Sequence, residues 1–270
     1  MIFDLKPIED SILMTLPERQ YKFVLIFCKA GEVKIEIDNQ LYEINEGHFL
    51  TITPKQYYQF IEINNCKGSI LEFTYDFFCK DEKAVELIYH NGLYCHFGLN
   101  ELIKISDENS LKRVTDYYDS LKSELINKPF EYETSLHSIL KLLIIEVSRC
   151  KITQQERPLY KPDALFLQFL NLIRDSFEKR LTVKEYAQLL HISEQKLNEL
   201  TKKNTNETTQ QLINDLIILE AKRLFNYENL NVKQVAFKLG FDDSHYFSRF
   251  FKKQTDTRAK DHLRSLLTES

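Results

Sequence analysis

Residues 240–253 read GFDDSHYFSRFFKK, a glycine and two acids followed by aromatics, hydroxyls and bases, with no proline among them. A helix capped at Asp243 would put Phe247, Phe250 and Phe251 on one side, with Tyr246 at its edge. His245, Ser248, Arg249 and Lys252 fall on the other side. Three phenylalanines ask for a core, while the opposite side offers hydrogen-bonding groups and cations suited to base edges and phosphates. An ordinary amphipathic helix with a solvated polar face shows the same pattern, so the reading turns on what surrounds the stretch.

What precedes it is a copy. At an offset of 49 positions Thr182-Val183-Lys184 lies on Asn231-Val232-Lys233, Ala187 on Ala236, and Leu190 on Leu239. With one residue inserted after Phe241 the match continues, Ser193 on Asp243, Leu197 on Phe247, Leu200 on Phe250, and Lys202-Lys203 on Lys252-Lys253. Each copy therefore reads as a helix, a tight turn and a second helix. Ala187 and Ala236 allow close approach, and Gly240 can end its helix in a left-handed conformation. This is the helix-turn-helix arrangement, whose second helix fits a major groove about 12 Å wide.

In the first copy Leu197 and Leu200 point inward, while Gln195, Asn198, Glu199 and Lys202 point outward. Residues 209–225 between the copies contain no breaker and span roughly 25 Å as a helix. That length is compatible with two recognition helices about 34 Å apart, one turn of a duplex. A solvated face explains either helix alone and does not explain duplication of the whole unit.

Upstream the composition changes. Residues 163–270 carry 17 Lys/Arg and 15 Asp/Glu, with one glycine and no proline, whereas residues 1–162 carry 19 and 25. The later part is the better partner for a polyanion, and a net charge of -4 argues against a wholly basic coat protein or an acidic tail. Residues 151–162, KITQQERPLYKP, lack a period and read as a linker between domains at 1–150 and 163–270.

From residue 21 to 79 the period is two. KFVLIFC, EVKIEID, LYEI, HFLTIT, YQFIEI and SILEFTYDFF read as six strands. Turns are expected at Lys29-Ala30-Gly31, Asp38-Asn39, Asn45-Glu46-Gly47, Thr53-Pro54 and from Asn64-Asn65 to Gly68. Such spacing suggests a small antiparallel barrel or sandwich. In ETSLHSILKLLIIEVSR, Leu136, Leu140, Leu143 and Val147 recur at helical spacing, flanked by Ile139, Leu142 and Ile145. A helix apolar over so much of its circumference wants two partners, which makes the four-residue stripe a candidate dimerisation face as well as a candidate core.

The five cysteines form no CxxC pair, the usage of a reduced cytoplasmic protein. The N-terminus lacks a signal peptide's basic start, and no apolar run has the roughly 18 to 20 residues of a membrane span. A metal-dependent enzyme built on the strands would need converging histidines, and only His48 lies among them. His90, Cys95 and His96 lack a second pair at ligand spacing. No nucleophile elbow or phosphate loop is visible. The reading is therefore of a non-enzyme without cofactor or metal.

Ala236, Gly240, Phe241, Asp243 or its neighbour Asp242, Ser244, Tyr246 or Phe247, Arg249, Phe251 and Lys252 fit a signature, A-x3-G-F-x-D-x-S-x-F-x-R-x-F-K. It resembles that of the AraC/XylS family of bacterial transcription regulators over about 100 residues, and the strands look like the family's cupin-type sensing domain in pattern and order. The resemblance implies an α+β two-domain chain: an N-terminal cupin-like β-barrel or jelly roll with dimerisation helices, then an all-α double helix-turn-helix domain. It further implies a homodimer acting on double-stranded promoter DNA, with RNA polymerase as a further candidate partner and a small-molecule effector in the barrel whose binding residues are unknown; the alternative is a barrel filled by its own side chains that senses nothing.

Carried over by position, Gln195, Asn198, Glu199, His245, Ser248 and Arg249 would face bases, and Lys202, Lys203, Lys252 and Lys253 phosphates. The chain departs from the family at Asn206 and Asp256, where glycine is usual, at Ala259, where proline is common, and at Glu199 and Ile217, where arginine is frequent. A carboxylate repels phosphate, so Glu199 predicts weak non-specific affinity in the first copy. The rival readings are a DNA-silent interaction module and, third, a metal-dependent cupin enzyme.

Overall fold

The computed structural model of the chain describes residues 2–9, 13–14, 16–89, 93–94, 100–154 and 163–269. It divides into two compact units, 1–162 and 163–270.

The first unit runs β1 (Phe3–Pro7), β2 (Glu18–Arg19), β3 (Phe23–Ile37), β4 (Gln40–Asn45), β5 (His48–Ile52), β6 (Tyr57–Phe73), α1 (Tyr75–Phe78), α2 (Glu82–Tyr89), β7 (Leu102–Lys104), α3 (Glu108–Asn127) and α4 (Tyr132–Gln154). The strands form one antiparallel sheet in the order β1-β6-β3-β5-β7, with β2 added to β6 and β4 to β3. Its spine is the pair β3 and β6, hydrogen-bonded from Phe23↔Phe73 to Ile37↔Tyr58. β5 pairs with the first half of β3 and β4 with the second.

Four of the six expected strands are thus halves of two long ones. The residues read as turns at Lys29-Ala30-Gly31 and from Asn64 to Gly68 are facing irregularities inside β3 and β6, with register shifts between Cys28 and Ala30 and between Ala30 and Glu32. Gly31 has φ +80, and a Cβ there would lie 2.4 Å from the Asn65 carbonyl oxygen. Only glycine permits the strands to pass so closely with that backbone. One residue gained at the irregularity switches the inward set from Val24, Ile26 and Cys28 to Val33, Ile35 and Ile37, and both sets join one apolar cluster with Ile44, Leu50, Ile52, Phe60 and Ile70. The first half of β3 is buried on its other face too, with Phe23 5.1 Å from the Tyr94 ring and Phe27 stacked 5.4 Å from Tyr118 of α3.

TYDFF, expected to prolong a strand, is α1, because the Thr74 side chain accepts from the Phe77 N–H and turns the chain into a helix. For the apolar stripe of α4, read as core or as dimerisation face, burial favours the core. Leu136, Leu140, Leu143 and Val147 are all buried within the chain, so the proposed dimerisation residues are core residues of the unit itself. What faces outward on α4 is Leu142, 46% exposed. Nor does the linker begin at Lys151. That side chain is buried with its Nζ 2.8 Å from Glu101, and Gln154 hydrogen-bonds the backbone of Leu102 and Lys104, which keeps α4 helical to Gln154. The rest of the expected linker, 155–162, lies outside the described residues, as do His90, Cys95 and His96.

The second unit is helical: α5 (Ala164–Ser176), a 3-10 turn (Phe177–Lys179), α6 (Val183–Leu189), α7 (Glu194–Thr205), α8 (Thr209–Tyr227), α9 (Val232–Lys238), α10 (Ser244–Thr255) and α11 (Ala259–Glu269). The copies begin alike. Thr182 and Asn231 each form a capping box, with Glu185 and Gln234 returning the bond. They end alike as well, Asn206 and Asp256 taking left-handed backbone at φ 63 and 57 while their N–H groups donate to Lys202 and Lys252. Both positions lack the glycine usual in the resemblance, and Asn and Asp are the side chains that tolerate this conformation best. The long α8 buries Leu212, Ile213, Leu216, Ile217, Leu224 and Phe225.

Candidate nucleic-acid interface

Two short helix pairs, α6–α7 and α9–α10, carry the candidate surface. In each, the second helix starts from a side-chain cap. Ser193 accepts from the Lys196 N–H, and Asp243 accepts from those of His245 and Tyr246. These N–H groups hold the Asp243 carboxyl below its ordinary range, the bond from Tyr246 contributing most. The cap orients α10 so that Phe247 and Phe251 enter the core against Phe225, 6.4 and 5.8 Å between ring centres. Phe250, expected in the core, is only half-buried. It leans on Phe241 and on the Arg180 guanidinium, each 5.3 Å away. Tyr246 is 54% exposed.

On the outer side of α10, His245, Arg249, Lys252 and Lys253 are exposed, and Ser248 is half-buried with its hydroxyl donating to the Ser244 carbonyl. No carboxylate occurs between Ser244 and Thr255. On α7, Gln195, Asn198, Glu199, Lys202 and Lys203 are exposed. Three of them are already engaged: Gln195 donates to Glu199 at 2.9 Å, and Asn198 donates to the Glu194 carbonyl while its amide oxygen accepts from the Thr209 N–H. Asn198 thus helps begin α8 as well as facing outward. The lysine pairs sit in the last turns of both helices, where the backbone dipole favours cations. Ile217, in place of an arginine, is buried in α8.

Arg180 carries no signal in the sequence. Its guanidinium lies 4.0 Å over the Phe241 ring, a contact between residues 61 positions apart for which no local pattern exists. Arg180 therefore joins the segment before the first pair to the core of the second.

In the first unit a cavity of about 670 Å³ is lined by Val24, Ile26, Ile52, Phe60 and Ile70, with Lys6, Tyr58 and Glu72 among its polar walls. Glu72 is held by Lys22 at 3.0 Å and Lys6 at 3.5 Å. Burial, with Glu72 and Glu18 nearby, pushes the Tyr58 hydroxyl up to about 12. Among the described residues no three His, Cys, Asp or Glu side chains gather as a metal site, and His48 sits at the 45–47 turn with Nδ1 3.0 Å from the Glu46 carbonyl. No helix of the described residues is long and apolar enough to cross a membrane.

Residues 186–265 match the family described as "Helix-turn-helix domain". The HTH-type transcriptional regulator YijO of Escherichia coli K12 is 29% identical over 162 residues, 58% of this chain and 56% of that protein. The HTH-type transcriptional activator RhaS of Klebsiella pneumoniae is 29% identical over 99 residues, 37% of this chain and 36% of RhaS. The chain thus spans about half of the one relative and about a third of the other. Both are named as regulators of transcription, not as enzymes. Among solved structures, ToxT from Vibrio cholerae aligns over 97% of this chain and 98% of its own at a TM-score of 0.43 and 16% identity.

Proposed function

We infer, taking as premise that the chain is of the AraC/XylS family of regulators, that it binds promoter DNA through α7 and α10 and regulates transcription. The observation that carries this is the duplicated, identically capped helix pair whose second member, α10, presents four exposed bases or cations and no carboxylate. His245, Ser248 and Arg249 of α10 and Gln195, Asn198 and Glu199 of α7 face the bases, and Lys202, Lys203, Lys252 and Lys253 the phosphates. Because α7 carries Glu194 and Glu199, α10 supplies most of the affinity.

Selection of bound sequences from random duplexes tests the reading. Arg249→Ala on the winning site is expected to cost about 1–3 kcal/mol and to relax preference at one position. Gln195→Ala is the cleaner probe of α7, since Asn198 also supports Thr209. A chain whose affinity ignores salt is the DNA-silent module instead, and a preference that survives both changes means that other residues face the bases.

The cavity of the first unit is the natural seat of a small-molecule effector, apolar in its body with one polar end near Lys6 and Glu72. A homodimer would be built on the Leu142 side of α4, since the opposite stripe is already used within the chain. Occupancy would act by shifting the placement of two DNA-binding units.

A further inference from the structure

A cleft of about 480 Å³ opens in the helical unit, lined by the segment ahead of α6, by α8 and by α10. Three cations line it, Arg180, Arg249 and Lys253, beside the amides of Gln210, Asn214 and Gln254, and no Asp or Glu is among its lining residues. Two other cations of this unit do have acidic neighbours, Lys238 with Glu228 and Arg223 with Glu220. In a unit whose 17 basic and 15 acidic residues nearly cancel, such a local excess of one sign is unfavourable until an anion joins it.

The donors are also held in place. Arg180 lies against two adjoining rings, 4.0 Å from Phe241 and 5.3 Å from Phe250, so its planar fork is ordered before any ligand arrives. Arg249 and Lys253 stand one helical turn apart on α10 and so share a face. They lie beside, and partly overlap, the stripe assigned to bases. A phosphate group, with its charge spread over several acceptor oxygens, matches a forked donor, an ammonium and side-chain amides.

We propose that this cleft is a phosphate-binding site that grips the DNA backbone between the two groove segments met by α7 and α10, with Arg180 and Lys253 as donors. It rests on the DNA-binding reading. A duplex touched by both helices at once carries its backbone past the space between them, and the cleft is lined by Arg180 from the segment ahead of the first pair, by α8, which connects the pairs, and by Lys253 of the second. A phosphate seated there fixes the spacing of the two pairs without reading any base, which makes Arg180 a determinant of affinity and not of sequence.

The test uses the full chain and a duplex obtained by selection, with fluorescence anisotropy over a salt series. Arg180→Met keeps an apolar stem over Phe241 and removes the charge, and Lys253→Met removes an exposed one. Each is expected to lower the slope of log affinity against log salt by roughly 0.9, with sequence preference unaltered. A methylphosphonate at one backbone position between the two protected grooves should produce the same loss in the unaltered chain and add nothing in the double variant.

Variants that melt like the unaltered chain and keep its full slope would overturn the proposal. So would inorganic phosphate or ATP stabilising the DNA-free chain but not the double variant, since the cleft would then serve a free phosphate. If Arg180→Met fails to fold, Arg180→Gln decides by the same slope, because Lys253 faces phosphates in the DNA-binding reading as well. An unaltered chain without salt-dependent affinity for any duplex removes the DNA reading and this site together, whereas an unchanged slope in variants of a chain that binds removes only the site.

Discussion

In the first helix pair His191 donates to the Gln188 carbonyl and Ile192 to that of Ala187; in the second, Gly240 and Phe241 make the equivalent bonds to Phe237 and Ala236, all four at 3.0 Å. The backbone turn is the same, and the side chains around it are not. His191 holds φ 56 with its side chain exposed, while Gly240 holds φ 75 where a Cβ would lie 1.8 Å from the Glu178 carbonyl oxygen. Leu197, Leu200 and Tyr186 fill the first pair; Phe241, Phe247 and Phe251 fill the second. α7 presents Glu194 and Glu199, and α10 presents no acid. Hydrogen bonding and caps therefore set the motif, and packing and charge vary freely upon it.

The sharpest way to break the comparison is at the turn. Gly240→Ala should destabilise the helical unit by roughly 3 kcal/mol or more, because a backbone carbonyl and a positive φ both oppose the new methyl group. His191→Gly at the equivalent position should change stability by less than about 1 kcal/mol in either direction. Urea denaturation of both variants checks this, and equal losses would mean the two turns are not distinguished by their surroundings. Next in size are the caps. Asp243→Ala and Ser193→Ala should each cost about 1 kcal/mol, the Asp243 change more at neutral pH than in acid, where its carboxyl is protonated in both states.

The smallest effect separates the pairs by pH. His262 packs on Phe225 and Phe251 with its Nε2 buried and unbonded, and burial, with Lys222 nearby, holds its pKa below the ordinary histidine value of 6.5. The unfolded chain takes up a proton near that value and the folded chain does so only at lower pH. Stability is therefore intact above 6.5 and declines as pH falls from there toward the folded pKa. The equivalent place in the first copy, 50 residues earlier, is the buried Leu212. His262→Leu should abolish this component of the acid sensitivity, a difference of a few degrees in Tm between about pH 7 and about pH 5.

The helical repeat is legible because caps, small residues and apolar positions recur at fixed offsets, all local signals. The sheet is less so. Gly31 and Asn65 adopt positive φ in strand irregularities as they would in turns, and what decides between the two is that they face each other across β3 and β6, a pairing no window of sequence contains. The stripe of α4 is visible but its partner is not, for a related reason: Leu136, Leu140, Leu143 and Val147 want cover whether it comes from the same chain or from another. Among candidate site residues the outward positions follow from helical period, whereas Arg180 depends on a ring 61 residues away.

The carbonyl beneath Gly240 and the guanidinium over Phe241 both belong to residues 178–180, outside the second pair. Excision follows a simple rule from this. A recombinant fragment meant to retain the second pair cannot begin at α8 or α9, since it would leave an uncovered phenylalanine and an empty space at its tightest turn. Trimming from the front should fail once it reaches α5, whose Phe166, Leu167, Phe169, Leu170 and Ile173 are buried in the unit, so that the smallest autonomous piece always contains both copies.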